Sequence, residues 1–155
     1  AAQNAAKVSV KKLAIIPTRN APQGFAAMLR LIPDASLEEN EAAMREAITE
    51  VHTGEITIST RSVEIDGVHV EKGQVIALYD GKLVSSSETI EGALEELFKK
   101  ANIEETERIT YFYGEGITQQ QVNKLGDDAR EKYPDKEIEI HEGGQPHYQL
   151  IIAFE

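Results

Sequence analysis

The chain closes on an apolar run, Leu150-Ile-Ile-Ala-Phe154, which is entered through the glycine-rich polar stretch His141-Glu-Gly-Gly-Gln-Pro-His147. A run this short, bounded by a turn signal and rich in β-branched and aromatic side chains, is read as a buried strand. A terminus that ends in a core is tied down, so the domain is expected to finish there. The opposite end reads differently. Ala1-Ala-Gln-Asn-Ala-Ala-Lys7 starts inside helix-forming sequence with no capping residue ahead of it, which suggests a piece of a longer polypeptide.

With 155 residues the chain fits one ordinary domain or two small lobes and is long enough to bury a core. The net charge of −11 argues against nucleic acid, because a phosphate-binding surface needs clustered Lys and Arg. It also disfavours anionic membranes. No apolar run approaches the roughly 20 residues of a membrane span, so membrane insertion is not expected. There is no cysteine, hence no disulfide framework and no thiol nucleophile. Together with the lack of a signal-peptide pattern, that points to a cytoplasmic setting.

Two periodicities divide the sequence. Residues 1 to about 9 read as a helix remnant with Ala2, Ala5, Ala6 and Val8 as small apolar contacts. Leu13-Ala-Ile-Ile16 reads as a short buried strand, followed by the loop Pro17-Thr-Arg-Asn-Ala-Pro22. Pro22 suits a helix's first turn, where its missing N–H is not needed. Phe25, Met28, Leu29 and Ile32 then recur at helical spacing until Pro33. Ser36-Leu-Glu-Glu39 is a capping box that opens a further helix, with Leu37, Met44, Ala47, Ile48 and Val51 on one face. At His52-Thr-Gly54 the period changes from 3.6 to 2. Asp66-Gly67 and Asp80-Gly81 are two-residue hairpin turns of the kind type I′ geometry requires.

From Ser85 on, the predicted order is helix, strand, helix, strand, strand, a crossover α/β lobe. The serines 85 to 87 stand at the entrance of a helix striped by Ile90, Ala93, Leu94, Leu97 and Ala101. Ile109 to Tyr113 is a strand. Thr118-Gln-Gln-Gln121 is a second capping box, and the helix it opens carries Val122, Leu125, Ala129 and Tyr133. The expected units are therefore residues 1–52, the remnant of a first α/β lobe, and 53–155, a second lobe. The latter is β-rich over 53–84 and a crossover α/β segment over 85–155.

Three loops hold the candidate site residues. Pro17 to Gly24 leads from the predicted strand into a helix N-terminus, where free amides and the helix dipole favour polar or anionic ligands. Thr18, Arg19, Asn20, Gln23 and Gly24 are its polar and glycine positions. In Gly143-Gly-Gln-Pro-His147, the glycines Gly143 and Gly144 permit positive φ or close backbone approach, and Gln145 and His147 supply hydrogen-bonding groups. A strand follows and no Lys-Ser/Thr completes a P-loop, so a tight connection is the plainer reading. In Tyr113-Gly-Glu-Gly116, Glu115 could serve as an acid or base, but no partner stands near it in sequence. The four histidines have no metal-ligand spacing, and no nucleophile elbow surrounds the serines. No metal site and no catalytic set is predicted.

The co-linear succession Ile16-Pro-Thr-Arg-Asn-Ala-Pro-Gln-Gly24, Thr53-Gly-Glu55, Glu64-Ile-Asp-Gly-Val68, Lys72-Gly73, Tyr113-Gly-Glu115 and His141-Glu-Gly-Gly-Gln-Pro146 resembles a known family over essentially the whole chain. It is similar to the C-terminal domain of the A-type subunit of bacterial fatty acid kinase, in proteins with a dihydroxyacetone-kinase-type (DhaL-like) N-terminal domain. More distantly it resembles the DegV-type fatty-acid-binding proteins. The resemblance implies an α/β, DegV/dihydroxyacetone-kinase-like two-lobed fold. Its first lobe would be truncated and its second a mixed sheet with helices and a β-hairpin segment.

It also implies a division of labour. ATP and magnesium would sit in an N-terminal kinase domain, and Cys and His residues in a middle domain, neither within this chain. A separate DegV-like fatty-acid-binding protein would present the acyl group, whose phosphorylation gives acyl phosphate. The present segment is then expected to be non-catalytic and free of cofactors, docking that partner or holding the assembly together. A missing companion segment or a second copy is expected to cover the edge at Leu13 to Ile16. The alternative is a DegV-like small-ligand or fatty-acid-binding domain. Against it, the lipid binders hold a carboxylate with serine and histidine where this chain has Thr18 and Pro22, and Gln145 and Pro146.

Overall fold

In the computed structural model, residues 2–65 and 67–155 are described. The chain divides into two compact units, Ala1–Val51 and His52–Glu155.

The first unit holds three helices, α1 (Ala2–Val8), α2 (Ala21–Leu29) and α3 (Leu37–Glu50). α2 starts where Asn20, in extended conformation, accepts the Gln23 amide on its side chain at 3.0 Å, with Pro22 in the first turn. α3 starts at the predicted capping box. Ser36 Oγ accepts from the Glu39 amide at 3.2 Å, and Glu39 Oε2 accepts from the Ser36 amide at 2.8 Å. The hydrogen bonds from the Ser36 hydroxyl and then its amide hold the Glu39 carboxyl below its usual range. Asn40 is the polar residue buried among the described residues of this unit. Its amide group bonds Ile32 through both N–H and C=O and reaches the carbonyls of Ala35 and Ser36, fixing the turn before α3.

Three expectations are corrected here. Leu13 to Ile16 is not a strand: the described residues of this unit offer helices but no strand to complete a ladder. Instead Thr18 N–H closes a tight turn onto Ile16 O at 2.9 Å, and Arg45 donates to Ile15 O. α1 buries none of its residues fully: Ala2, Ala5 and Val8 are exposed and only Ala6 is half-buried, so the predicted apolar contacts are weak at best; Ala1 lies outside the described residues. The helical stripe ending at Ile32 stops at Leu29, and Met28, Leu29 and Ile32 face outward.

The second unit is built on a six-stranded mixed sheet. Its strands are β1 (His52–Ile58), β4 (Val75–Tyr79), β5 (Lys82–Ser87), β6 (Arg108–Tyr113), β7 (Glu137–Glu142) and β8 (Tyr148–Phe154). Their spatial order is β5-β4-β1-β8-β6-β7. The C-terminal apolar run sits inside the sheet, antiparallel to both β1 and β6. Among the described residues only β6 and β7 pair in parallel, joined by the crossover helix α5 (Gln119–Lys132). β2 (Val63–Ile65) and β3 (Val68–Val70) form a separate hairpin. Its Asp66 lies outside the described residues, while Gly67 has φ +79°. The second hairpin turn is described in full: Asp80 and Gly81 both have positive φ, 49° and 77°, as a type I′ turn demands.

The helix α4 (Ile90–Lys100) and α5 pack with the sheet into one apolar cluster. Tyr111, Leu150, Ile152 and Leu97 are enclosed at its centre. Each of the enclosed leucines and isoleucines contributes about 1.5–3 kcal/mol of burial. α4 lies close because Gly54 in β1 has no side chain: a Cβ there would stand 2.5 Å from Leu97 Cδ2 and 3.0 Å from Phe154. Its cap is Thr89, whose hydroxyl accepts from the Gly92 amide. Ser85 to Ser87, expected at the helix entrance, instead extend β5, where they pair with Ala77, Ile76 and Val75. Among the described residues no helix is long and apolar enough to cross a membrane.

Candidate functional site

β6 and β7 run parallel and end at the same side of the sheet, where β8 begins. That topology brings two of the three candidate loops together. The Glu115 amide donates to Gln145 O at 3.1 Å and the Gly114 amide to Gln149 O at 3.0 Å. In return, the Gly143 and Gly144 amides both donate to Tyr113 O, at 2.9 and 3.2 Å. Gln145 Nε2 donates to Phe112 O at 2.8 Å, and the Thr57 hydroxyl of β1 donates to His147 O at 2.7 Å. Glycine is required at two points. A Cβ on Gly114 would drive into the carbonyls of Gln145 and Tyr148, and Gly144 takes the left-handed φ of +64°.

These bonds fix the loop backbones, and the Gln145 side chain is itself turned in to Phe112. Glu115, Gly143, Gly144 and His147 are exposed, and Gln145 is half-buried. Sequence reasoning missed Gln149. It is 8% exposed, its Oε1 has no hydrogen-bond partner among the described residues, and its Nε2 lies where a side chain on Gly116 would go.

The remaining candidate loop belongs to the first unit. Asn20 and Gln23 are there engaged in capping α2, Gln23 Oε1 also accepting from the Arg19 amide at 3.0 Å. Thr18 and Arg19 are exposed, and a side chain on Gly24 would meet nothing within 4 Å. Capping accounts for Asn20 and Gln23.

Elsewhere in the second unit Asp80 does more than turn the chain. Its carboxylate lies 2.7 Å from His52 Nδ1 and accepts the Thr53 amide at 2.9 Å, clamping β1 to the β4–β5 hairpin. Glu55 sits on β1 between its register partners Leu78 and Ile151. Burial, and secondarily the negative charge of Asp80, push its carboxyl above the ordinary range. Among the described residues no three His, Asp or Glu side chains converge in a way that could hold a metal ion. The arrangement can present polar groups on a rigid backbone.

Comparison with known proteins agrees with the geometry. The chain is 37% identical over 155 residues to protein YloV of Bacillus subtilis and 35% identical to an uncharacterized protein of Staphylococcus aureus (strain USA300). In both cases all of this chain is matched, and it spans 28% of the relative's length. A solved DegV-family structure from Thermus thermophilus, described as fatty-acid binding, shares the fold at a TM-score of 0.52. That match has 15% identity and covers 86% of this chain and 55% of that one. A family model for the C-terminal part of FakA-like proteins, those like the A-type subunit of fatty acid kinase, matches residues 1–155, and the chain belongs to that family.

Proposed function

We propose that this chain is a non-catalytic part of a fatty acid kinase, and that the side of its sheet carrying Glu115 and Gly143 to Gln145 docks the protein that presents the acyl group. What carries the reading is the interlocked pair of loops. Six hydrogen bonds at 2.7–3.2 Å hold residues 112–115 and 143–149 in place, so docking here orders less backbone than a free loop would need. Family membership supports the setting. MgATP and the phosphoryl transfer belong, in this reading, to other parts of the longer polypeptide, and the fatty acid that accepts the phosphoryl group is presented by a DegV-like fatty-acid-binding protein in the cytoplasm.

Titration calorimetry of this chain with that binding protein, loaded with fatty acid, tests the proposal. Saturable binding is expected, and charge reversal at Glu115 together with Gln145→Ala should weaken it by about 10-fold or more. No heat of association, with circular dichroism showing both proteins folded, would sink it. The fatty-acid-binding alternative stands second, because Thr18, Pro22, Gln145 and Pro146 replace the serine and histidine that the resemblance associates with carboxylate binding.

The first unit adds a second expectation, a companion for its apolar surface. Val10, Leu29, Leu31 and Ile32 are between 55% and 102% exposed. We assign their cover to another segment of the same polypeptide, since the curated relatives extend well beyond the matched residues.

A further inference from the structure

Leu13-Ala-Ile-Ile16 has the composition of a strand without the bonds of one. Its residues are apolar with no polar alternation, the pattern of a strand covered on both faces. Ala14 and Ile16, two apart, line a cavity of about 360 Å³ together with Leu31 and with Leu37 and Met44 of α3. Alternate residues on one side are what a strand lying on a helix presents. Leu13, of the other parity, is 53% exposed. Among the described residues the amides of Leu13, Ala14, Ile15 and Ile16 donate no hydrogen bond, and the carbonyls of Leu13 and Ala14 accept none. Ile15 O is taken, by Arg45 Nη2 at 2.9 Å. In a strand a residue's N–H and C=O point to one side and the sides alternate along the chain. Arg45 therefore closes the edge of Ile15 and leaves that of Ala14 and Ile16 open. The cavity does not suit a small ligand, because its polar side chains are engaged. Asn40 Nδ2 donates to the carbonyls of Ile32, Ala35 and Ser36, and Glu41 is held by Arg45.

α1 indicates where the missing neighbour comes from. It stands just ahead of the unpaired run and buries none of its residues fully. Residues 2–12 are about the dozen that a crossover between parallel strands takes. The seven residues of α1 rise roughly 10 Å, close to the roughly 13 Å of four strand residues that a returning chain must cover. A helix so placed, between parallel strands of one sheet, is a right-handed crossover. The matched family model describes a C-terminal part, and the chain spans 28% of the length of YloV, so relatives of this kind have chain ahead of these residues to supply the other strand. We propose that the stretch of the parent polypeptide immediately ahead of α1 is a β-strand, paired in parallel with the open edge at Ala14 and Ile16, with α1 as the crossover. Side chains on the inner face of that strand fill the cavity over α3. The proposal rests on the reading above that another segment of the same polypeptide covers the first unit, and it names the segment and its bonds.

Hydrogen exchange with mass spectrometry on the full-length parent, set beside the 155-residue chain, tests it. The peptide spanning Leu13 to Ile16 should exchange about 100-fold slower or more in the parent, and the stretch just ahead of α1 should be protected with it. Ala14→Pro removes an amide from the open edge and should return both peptides to fast exchange, with β6 and β8 still slow. Ile15→Pro removes an amide from the edge that Arg45 closes, and the stretch ahead of α1 should stay protected. Slow exchange of α2 in the parent with residues 13–16 still fast would sink the strand and leave the intramolecular cover standing; fast exchange of both would sink both. An Ala14→Pro variant in which the stretch ahead of α1 stays protected would place the pairing elsewhere. Equal losses from the two proline variants would overturn the edge assignment. Slow exchange of residues 13–16 in the short chain, whether at every concentration or only as concentration rises, would show that no preceding strand is needed.

Discussion

Charge placement decides much at the level of single side chains. Glu55 is a carboxylate flanked in register by Leu78 and Ile151, with Asp80 contributing a second negative charge nearby. Its folded pKa lies above the ordinary 4.5, so the folded chain binds that proton more tightly than the unfolded chain. Stability from this group is therefore greatest below pH 4.5 and declines as pH rises through the folded value. Glu55→Gln removes the decline. The variant is expected to melt higher than the parent at pH 7 and to show no gain at pH 4, with a flatter slope between. Thermal melts across that range check it; a variant that loses stability equally at both ends would show that the carboxylate is a needed hydrogen-bond acceptor. Asp80 shows the opposite case, since the same residue that turns the β4–β5 hairpin also grips His52 and the Thr53 amide. Its turn role was legible from the Asp-Gly dipeptide. The clamp was not, because it depends on β1 lying beside β4.

Among the elements, those that carry their own start signals are legible in the sequence. Ser36 with Glu39 and Thr118 with Gln121 are reciprocal caps, and both helices begin where these pairs stand. The cap on α5 supports the crossover between β6 and β7, so Thr118→Ala is expected to destabilise the chain by about 1 kcal/mol. Urea unfolding should show a lower midpoint with an unchanged slope; a changed slope would mean that the crossover itself had come apart. Apolar runs without such signals are less secure. Leu150 to Phe154 and Leu13 to Ile16 look alike in sequence, yet the first has β1 and β6 beside it and the second has no described strand to pair with in its unit. A strand is a relation between segments, and a local pattern carries only half of it. The same reasoning covers the candidate site. Each glycine loop was visible alone, but their interlocking follows from β8 lying next to β6, a pairing of residues roughly 40 apart. Gln149 and Asn40, polar residues buried by tertiary context, gave no periodic signal.

At the scale of the whole chain the two units differ in how well they can stand alone. The second encloses a continuous core from Ile56 to Phe154. The first, Ala1–Val51, has few buried residues in its helices: none in α1, Pro22 and Ala27 in α2, and Asn40 and Ala47 in α3. Around them Val8, Leu13, Met28 and Leu29 are between 53% and 84% exposed. A piece of this size that buries so little lacks the apolar surface to offset the entropy of ordering its backbone. Its capped helices persist only if something covers the apolar side, and the proposed cover is another segment of the parent polypeptide. Hydrogen exchange followed by mass spectrometry separates the options. In the 155-residue chain the amides of α2 should exchange orders of magnitude faster than those of β1, β6 and β8. In the full-length parent the same α2 amides should become protected. If they are slow in the short chain at every protein concentration, the unit needs no companion. If they slow only as concentration rises, with light scattering showing a dimer, a second copy is the cover and the intramolecular assignment fails.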